Sequence, residues 1–400
     1  MNLPEPAVER RAPPLSLYVH LPWCISKCPY CDFNSHALGG TTPFDPYVDR
    51  LIADLEADLD RFGVSRPLQS IFIGGGTPSL FPGKAIHRLL AGIAARIELA
   101  ADAEVTLEAN PGAADAGRFA AYREAGVNRL SIGVQSLSAS HLERLGRIHD
   151  PTEACAAVRM ARTAGFDNLN LDFMFGLPGQ LLQAAAEDLD RLIALEPEHL
   201  SYYQLTLEPN TRFFAHPPQM PDVDLAADIG EQGAELLGAA GYGRYEVSAY
   251  ARPGRCCRHN LGYWRFGDYL GIGAGAHGKL TKVEAGETAF RILRTAKHRD
   301  PDRYLGKHPE ALISTCRELC DADVIFEFAL NAMRLTSGFE RSLFTAMTGL
   351  PWLRLEPYVA QGVERGLVEQ DGDRLCPTQR GRDFLDDLVG SFLSPPTPMS

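Results

Sequence analysis

The sequence predicts an α/β protein built on a parallel sheet, and three observations carry that prediction. Short β-rich runs alternate with longer helical stretches from Ser16 to Leu205, the links between them are short, and the strand runs are apolar enough to be covered on both faces. Six β–α units of this kind imply right-handed crossovers. A partial α/β barrel and a doubly wound sheet both fit the pattern.

The elements follow in order. The first strand is expected over 16–21, with a helix over 46–62, where Val48, Leu51, Ile52, Leu55 and Leu59 recur at helical spacing. Strand 70–73 precedes helix 84–98, and strand 104–109 precedes helix 115–125. Strand 129–134 is followed by two helices, 138–145 and 151–164; strand 168–173 leads into helix 181–195, and 199–205 is the sixth strand. Ser138 and Asp150 suit N-caps, and Gly126 and Gly165 suit C-caps. A further helix is expected over 224–240. The stretch 242–278, rich in Gly and aromatics, reads as irregular, and 281–308 as a polar linker or exposed loop. From Ala311 the pattern reads as helical, and Asp371-Gly372 between two β-like runs in 366–378 signals a hairpin. Helices followed by a small hairpin suggest a winged-helix-like appendage. The expected organisation is a disordered tail over 1–14, a core over 15–245, a connecting segment over 246–308, a carboxyl-terminal helical domain over 309–393 and a disordered tail over 394–400.

Composition narrows the function. The chain has 400 residues, 45% hydrophobic and 22% charged, as an ordinary globular protein has. A net charge of -12 argues against broad binding of nucleic acid. No apolar run is long enough for a membrane span, and the proline-rich start lacks the apolar region of a signal peptide. Nine cysteines form no even disulfide framework, so the expected compartment is the reducing cytoplasm, where a tight cysteine cluster points to metal.

That cluster is Cys24, Cys28 and Cys31, spaced C-x3-C-x2-C directly after the first strand. Thiolates suit iron–sulfur clusters, zinc and Cu(I). A closed site wants four protein ligands; three in one short loop leave one iron of a cubane open for chemistry. Zinc, or thiols that meet by chance, is the competing reading. Pro22 and Pro29 stiffen the loop, and Trp23, Tyr30 and Phe33 are expected to shield it.

Gly74-Gly75-Gly76-Thr77-Pro78 follows the second strand, where glycines allow close backbone approach and free N–H groups would suit the amino acid end of a ligand. Glu108, Gln135 and Asp172 stand at or near the ends of the next three strands. Each alone reads as a cap or surface group; placed at the same end of consecutive units, they converge on one mouth if the sheet is a barrel. Arg147 could join them as a carboxylate partner or lie solvated at a helix end.

With these motifs in view, the chain resembles the radical S-adenosylmethionine (SAM) superfamily, over about residues 15–280, and more loosely beyond. Within it the resemblance is to the branch holding oxygen-independent coproporphyrinogen III oxidase and the HemW relatives. The run from His20 to His36, Gly133-Val-Gln-Ser136, Gly146-Arg-Ile-His149, Gly176-Leu-Pro-Gly-Gln180 and 271–278 resemble HemW relatives in particular. The resemblance implies a partial (β/α)6 barrel with a smaller winged-helix-like domain. It implies a [4Fe-4S] cluster on Cys24, Cys28 and Cys31, and SAM chelating the open iron, where one electron would yield a 5′-deoxyadenosyl radical. Tyr18, Gly75, Gly76, Thr77, Glu108, Gln135, Arg147 and Asp172 would line the SAM site. Glu108 and Asp172 could take its ammonium or ribose hydroxyls.

The oxidase carries a further cysteine two residues after the third ligand, where this chain has Phe33, and a longer arm before the first ligand. HemW relatives are implied to bind heme and pass it to haem proteins, with an electron donor such as a flavodoxin or ferredoxin and a possible homodimer. Porphyrinogen oxidation is the alternative. For heme, His259 in the H-N-x-x-Y-W run 259–264 is one candidate and His277 a second; Cys256 and Cys257 could ligate or sense redox state. Each histidine also reads as a structural group. Cys316 and Cys320 are expected to share a helix face as core thiols, and Cys155 and Cys376 to be structural. A DNA-reading winged helix is the rival from another class, and the few Lys and Arg in 329–336 and 340–348 argue against it.

Overall fold

The computed structural model describes residues 12–39, 43–283 and 290–393. The expected tails at 1–11 and 394–400 lie outside the described residues. Pro14, also expected in a tail, is tied to the sheet, its carbonyl accepting the Asp268 N–H at 2.9 Å.

Six parallel strands form the centre: β1 (Leu15–Leu21), β2 (Leu68–Gly75), β3 (Leu99–Ala109), β4 (Arg129–Gln135), β5 (Leu169–Phe175) and β6 (His199–Gln204). They lie in sequence order. The crossovers run through α1 (Phe44–Phe62), α2 (Gly83–Ala94), α3 (Ala116–Glu124), α4 (Ala139–Arg144), α5 (Pro151–Thr163) and α6 (Leu182–Ile193). Further elements are α7 (Val223–Ala239), β7 (Gly243–Glu246), β8 (Ala249–Ala251), α8 (Arg258–Trp264), β9 (Asp268–Ile272), β10 (His277–Lys282), β11 (Arg291–Lys297) and β12 (Ile313–Glu318). The whole sheet has twelve strands in the order β12-β11-β10-β9-β1-β2-β3-β4-β5-β6-β8-β7. The two edge strands, β12 and β7, do not pair with each other, so the barrel is partial.

Local sequence explains the helix limits. Asp115 caps α3 by accepting from the Arg118 N–H, and Asp150 and Glu153 form a capping box at α5. Ser138 precedes α4 but makes no capping bond. Gly126 and Gly165 take positive φ just past α3 and α5.

Alternation along the strands divides two environments. Leu17, Val19, Ile71, Ile73, Leu107, Ile132 and Leu171 are buried with Val48, Leu51 and Leu55 of α1 in the main apolar core. The opposite face is polar and bonded across strands. Ser70 Oγ bonds Ser16 Oγ and His259 Nδ1, each at 2.9 Å, and Asn170 Nδ2 donates to Ser131 Oγ at 2.7 Å and Asp172 Oδ1 at 2.8 Å. His199 bridges Asn170 Oδ1 at 2.6 Å and Tyr245 Oη at 2.8 Å.

The stretch beyond 242 departs from expectation. Asp268–Ile272 is a seventh parallel strand, paired with β1; its glycine-rich flanks hide the alternation. The expected linker 281–308 contains β11, antiparallel to β10 and β12, although 284–289 lie outside the described residues. Charged residues mislead there because one of them is buried. Lys297 Nζ lies 2.5 Å from Asp54 Oδ1 and 2.8 Å from Asp58 Oδ2 of α1, and Asp54 Oδ2 accepts from Tyr304 Oη at 2.6 Å. Cys316 and Cys320 share no helix. Cys316 is on β12, which pairs antiparallel with β11, Cys320 precedes the next helix, and both are exposed.

The carboxyl-terminal part has its own core around Phe328, Phe344, Leu355, Leu375 and Leu388. Helices α9 (Asp321–Ala332), α10 (Arg341–Thr348) and α11 (Glu356–Glu364) pack with a small sheet of β13 (Phe339–Glu340), β14 (Val368–Asp371) and β15 (Arg374–Pro377). Asp371 pairs with Arg374, so the hairpin turn is Gly372-Asp373, one residue beyond the Asp-Gly signal.

Lys297→Ala should cost about 3–5 kcal/mol by leaving two buried carboxylates uncompensated. Burial raises the Asp58 carboxyl to about 6 even against the lowering effect of Lys297; without Lys297 it rises further, so protonation relieves the variant as pH falls. Denaturation at pH 8 and pH 5 should give the larger loss at pH 8; equal losses would mean the cluster is not ionised.

Candidate functional site

The cysteine loop is anchored at both ends. Trp23–Cys24 pairs in parallel with His36–Ala37, and the His36 N–H donates to Pro22 O at 2.7 Å. The glycine turn after β2 holds the near end. The Gly76 N–H donates to Leu21 O at 2.8 Å and the Thr77 N–H to Trp23 O at 2.7 Å, while the Gly75 N–H donates to Glu108 Oε2 at 3.0 Å. These amides are therefore not free for a ligand, contrary to the expectation from the sequence. The glycines serve close packing instead: a Cβ at Gly76 would stand 2.6 Å from Trp23 O, and one at Gly75, with φ +112°, 2.5 Å from the His20 ring.

Cys24, Cys28 and Cys31 open into one cavity of about 470 Å³. Gly75, Gly76, Thr77, Glu108, Gln135, Arg147 and Asp172 line the same cavity. All three cysteines are half-buried free thiols. Burial raises the Cys24 and Cys31 thiols above their ordinary range, so metal binding there releases protons. Among the described residues, no three His, Cys, Asp or Glu side chains converge on a single metal ion. A cluster requires no such convergence, because each thiolate takes its own iron. Tyr30 lines the cavity and packs on Phe213. Trp23 is instead buried against Tyr47 and is not in the cavity lining, whereas Phe33, 58% exposed, lines the cavity with the thiols.

Arg147 does not pair with a carboxylate. One guanidinium nitrogen donates to Gly133 O at 2.8 Å and the other lies 3.5 Å from both Cys28 Sγ and Tyr30 Oη. It brings positive charge to the thiolate side of the cavity. Gln135 has φ +68°, a strained conformation for a residue with a Cβ. That twist ends β4, and the Gln135 Oε1 accepts from Tyr203 Oη at 2.8 Å.

The carboxylates face each other in a desolvated pocket. Burial and then the Asp172 charge push the Glu108 carboxyl up to about 8, against the Gly75 N–H that lowers it. Asp172 is raised by burial and held down by hydrogen bonds from Asn170, Ser201 and Ser131 and by the Arg129 charge. A cation entering this pocket would stabilise the carboxylate forms that burial disfavours, and the protonated form can donate to a hydroxyl-bearing ligand.

Tyr18 lies outside this cavity. Its hydroxyl bonds His20 Nδ1 at 2.9 Å, and both residues line a second cavity of about 620 Å³. His277 is there too, together with Phe33, Tyr263, Tyr269 and Arg299. Asp32, Phe33, Gly75 and Glu108 line both cavities, so the two share a wall. His259, the first heme candidate, is not at a cavity. It is 1% exposed, with Nδ1 on Ser70 Oγ at 2.9 Å and Nε2 on Tyr263 Oη at 2.7 Å. Burial lowers its imidazole to about 3. It is a satisfied interior histidine that braces Tyr263. Cys257 is likewise interior, beside Glu104, with its thiol pushed up to about 12 by burial; it has neither the exposure nor the thiolate character for ligation or sensing. Ser131, Ser201 and Tyr203 line the first cavity and were missed from the sequence. Period-two alternation from Arg129 and His199 would have found them.

Residues 18–192 match the radical SAM superfamily, and residues 319–384 the HemN C-terminal domain. The chain is 51% identical to the heme chaperone HemW of Escherichia coli over 385 residues, covering 96% of this chain and 99% of that protein. It is 47% identical to the heme chaperone HemW of Haemophilus influenzae, with 96% and 99% covered. With the mitochondrial radical S-adenosyl methionine domain-containing protein 1 of Bos taurus it shares 41% identity, with 98% and 89% covered. The solved structure of coproporphyrinogen III oxidase (HemN) from Escherichia coli superposes with a TM-score of 0.78 at 23% identity, covering 96% of this chain and 92% of that one, a likeness of fold.

Gly76→Ala should displace the cysteine loop and at least halve the iron retained after anaerobic reconstitution, with circular dichroism unchanged; full iron content would refute the packing argument. For Glu108 the folded carboxyl is raised above its unfolded value, so its contribution opposes folding as pH rises from about 4.5 to about 8. The ligand-free Glu108→Gln variant should therefore lose less stability than the wild type over that interval, by a few kcal/mol at most, at about 1.4 kcal/mol per unit. Parallel slopes of unfolding midpoint against pH would disprove it.

Proposed function

The chain belongs to the HemW family of the radical SAM superfamily, and from that membership we propose that it is a heme chaperone, binding heme and delivering it to haem proteins. The observation that carries this reading is identity along almost the whole chain with proteins named heme chaperones, 51% over 385 residues in one case.

In this reading Cys24, Cys28 and Cys31 hold a [4Fe-4S] cluster, and SAM lies in the cavity they share with Glu108, Gln135 and Asp172. When bound, that pair supplies one-electron cleavage of a carbon–sulfur bond. The protein's own groups do the rest. Arg147 offsets negative charge at Cys28. Glu108 would release its proton to solvent on arrival of a cationic ligand, because a positive charge at short range favours the carboxylate. The Gly76 and Thr77 amides keep the cysteine loop over the strand ends. An electron donor such as a flavodoxin or ferredoxin belongs to the same reading, since a cluster of this kind is reduced one electron at a time, and so does a homodimer.

Porphyrinogen oxidation has less support. The oxidase likeness, at 23% identity, concerns fold alone, and Phe33 stands where a fourth loop cysteine would be. No helix among the described residues is long and apolar enough to cross a membrane.

The test is anaerobic reconstitution followed by two assays. The chain should bind hemin and restore activity to a heme-depleted haem enzyme, and it should not convert coproporphyrinogen with SAM. Turnover of coproporphyrinogen without heme transfer would reverse the assignment.

A further inference from the structure

The second cavity is adjacent to the cysteine site and is unexplained by it. Tyr18, Phe33, Tyr263 and Tyr269 give it aromatic walls, and its volume of about 620 Å³ lies within the range of ligand pockets. Aromatic faces of this kind suit a flat, apolar macrocycle. Two histidines line it. His20 has both ring nitrogens engaged, Nδ1 with Tyr18 Oη and Nε2 with Asn34 O, each at 2.9 Å. His277 is exposed, and among the described residues its ring has no hydrogen-bond partner. Burial and the nearby Arg294 and Arg299 charges lower its imidazole, which favours the neutral form that ligates a metal.

The backbone holds His277 in place. The turn before it uses Gly273 at φ +105° and Gly275 at φ +80°. Asn34, just past the cysteine loop, donates from Nδ2 to Ala274 O at 2.9 Å and Arg299 O at 2.8 Å. His277 therefore starts β10 from a pinned turn, with the cationic Arg299 beside it at the cavity.

We propose that this lateral cavity is the heme site, with the His277 imidazole as the axial ligand of the iron and Arg299 facing a propionate carboxylate. The assignment rests on the heme chaperone reading and deepens it. Tyr263, braced by the buried His259, forms one wall, so the H-N-x-x-Y-W run shapes the site without ligating iron. The shared wall of Asp32, Phe33, Gly75 and Glu108 puts the macrocycle next to the cysteine loop.

The experiment titrates the full-length chain with hemin and records absorption and electron paramagnetic resonance spectra for the wild type, His277→Ala, Arg299→Ala and His259→Gln. The wild type should show imidazole-ligated iron. His277→Ala should lose that signature and bind at least tenfold more weakly, and added imidazole should restore the spectrum. Arg299→Ala should weaken binding several-fold with the ligand signature intact, and His259→Gln should keep the signature. His277 is exposed, so its variant should match the wild type in circular dichroism. An unchanged spectrum and affinity in His277→Ala would overturn this site while leaving heme binding in place. Loss of the imidazole signature in a folded His259→Gln chain would transfer the ligand role to His259. A wild-type chain that binds no hemin would overturn the functional reading together with this assignment.

Discussion

Two backbone hydrogen bonds, from Gly76 to Leu21 and from Thr77 to Trp23, are the constraint on which the site depends. They fasten the cysteine loop to the turn after β2, so thiols from a loop and carboxylates from strand ends meet in one cavity. They form only because residue 76 has no side chain. A Cβ there would collide with the Trp23 carbonyl, and a loop pushed off the turn would carry its sulfur atoms with it. The amides of this turn are held within the protein, while Gly75, Gly76 and Thr77 still line the cavity.

The sheet makes that arrangement possible by keeping two chemistries apart. One face is apolar and covered by helices. The other carries Ser70, Glu104, Arg129, Asn170 and His199, with His259 of α8 bonded to Ser70, all buried. Buried polar groups persist only when paired, and the pairs run between strands, from Ser16 through Ser70 to His259 and from Ser131 through Asn170 to His199. The interior is thus already rigid below the cavity, and the ligand-facing groups need little reorganisation.

A second buried network closes the structure at its far side. Lys297, Asp54 and Asp58 join β11 to α1, and Lys279 and Asp268 join β10 to β9 at 2.8 Å. These ion pairs are costly to desolvate, but they fix one packing, since a shifted strand would leave a buried charge alone. They also seat the turn that presents His277.

How much could be read without the fold follows from the range of each signal. The six β–α units, the capping box at Asp150 and Glu153, the cysteine spacing and the strand-end Glu108, Gln135 and Asp172 are local patterns, legible because helix and strand periods and ligand spacing are written within a few residues. The strands β9, β11 and β12 were not legible: glycine-rich flanks hide β9, the exposed β12 carries no apolar alternation, and in β11 a lysine looks solvated until a partner from residue 54 or 58 arrives from α1. The roles of His259 and His277 were undecided for the same reason. A histidine becomes a brace or a ligand according to what reaches its two nitrogens, and here Ser70, 189 residues away, reaches one while an open cavity reaches the other. The sequence by itself determined which chemistries the chain carries; the tertiary structure decided which side chains are satisfied and which remain available, because that depends on partners distant along the chain.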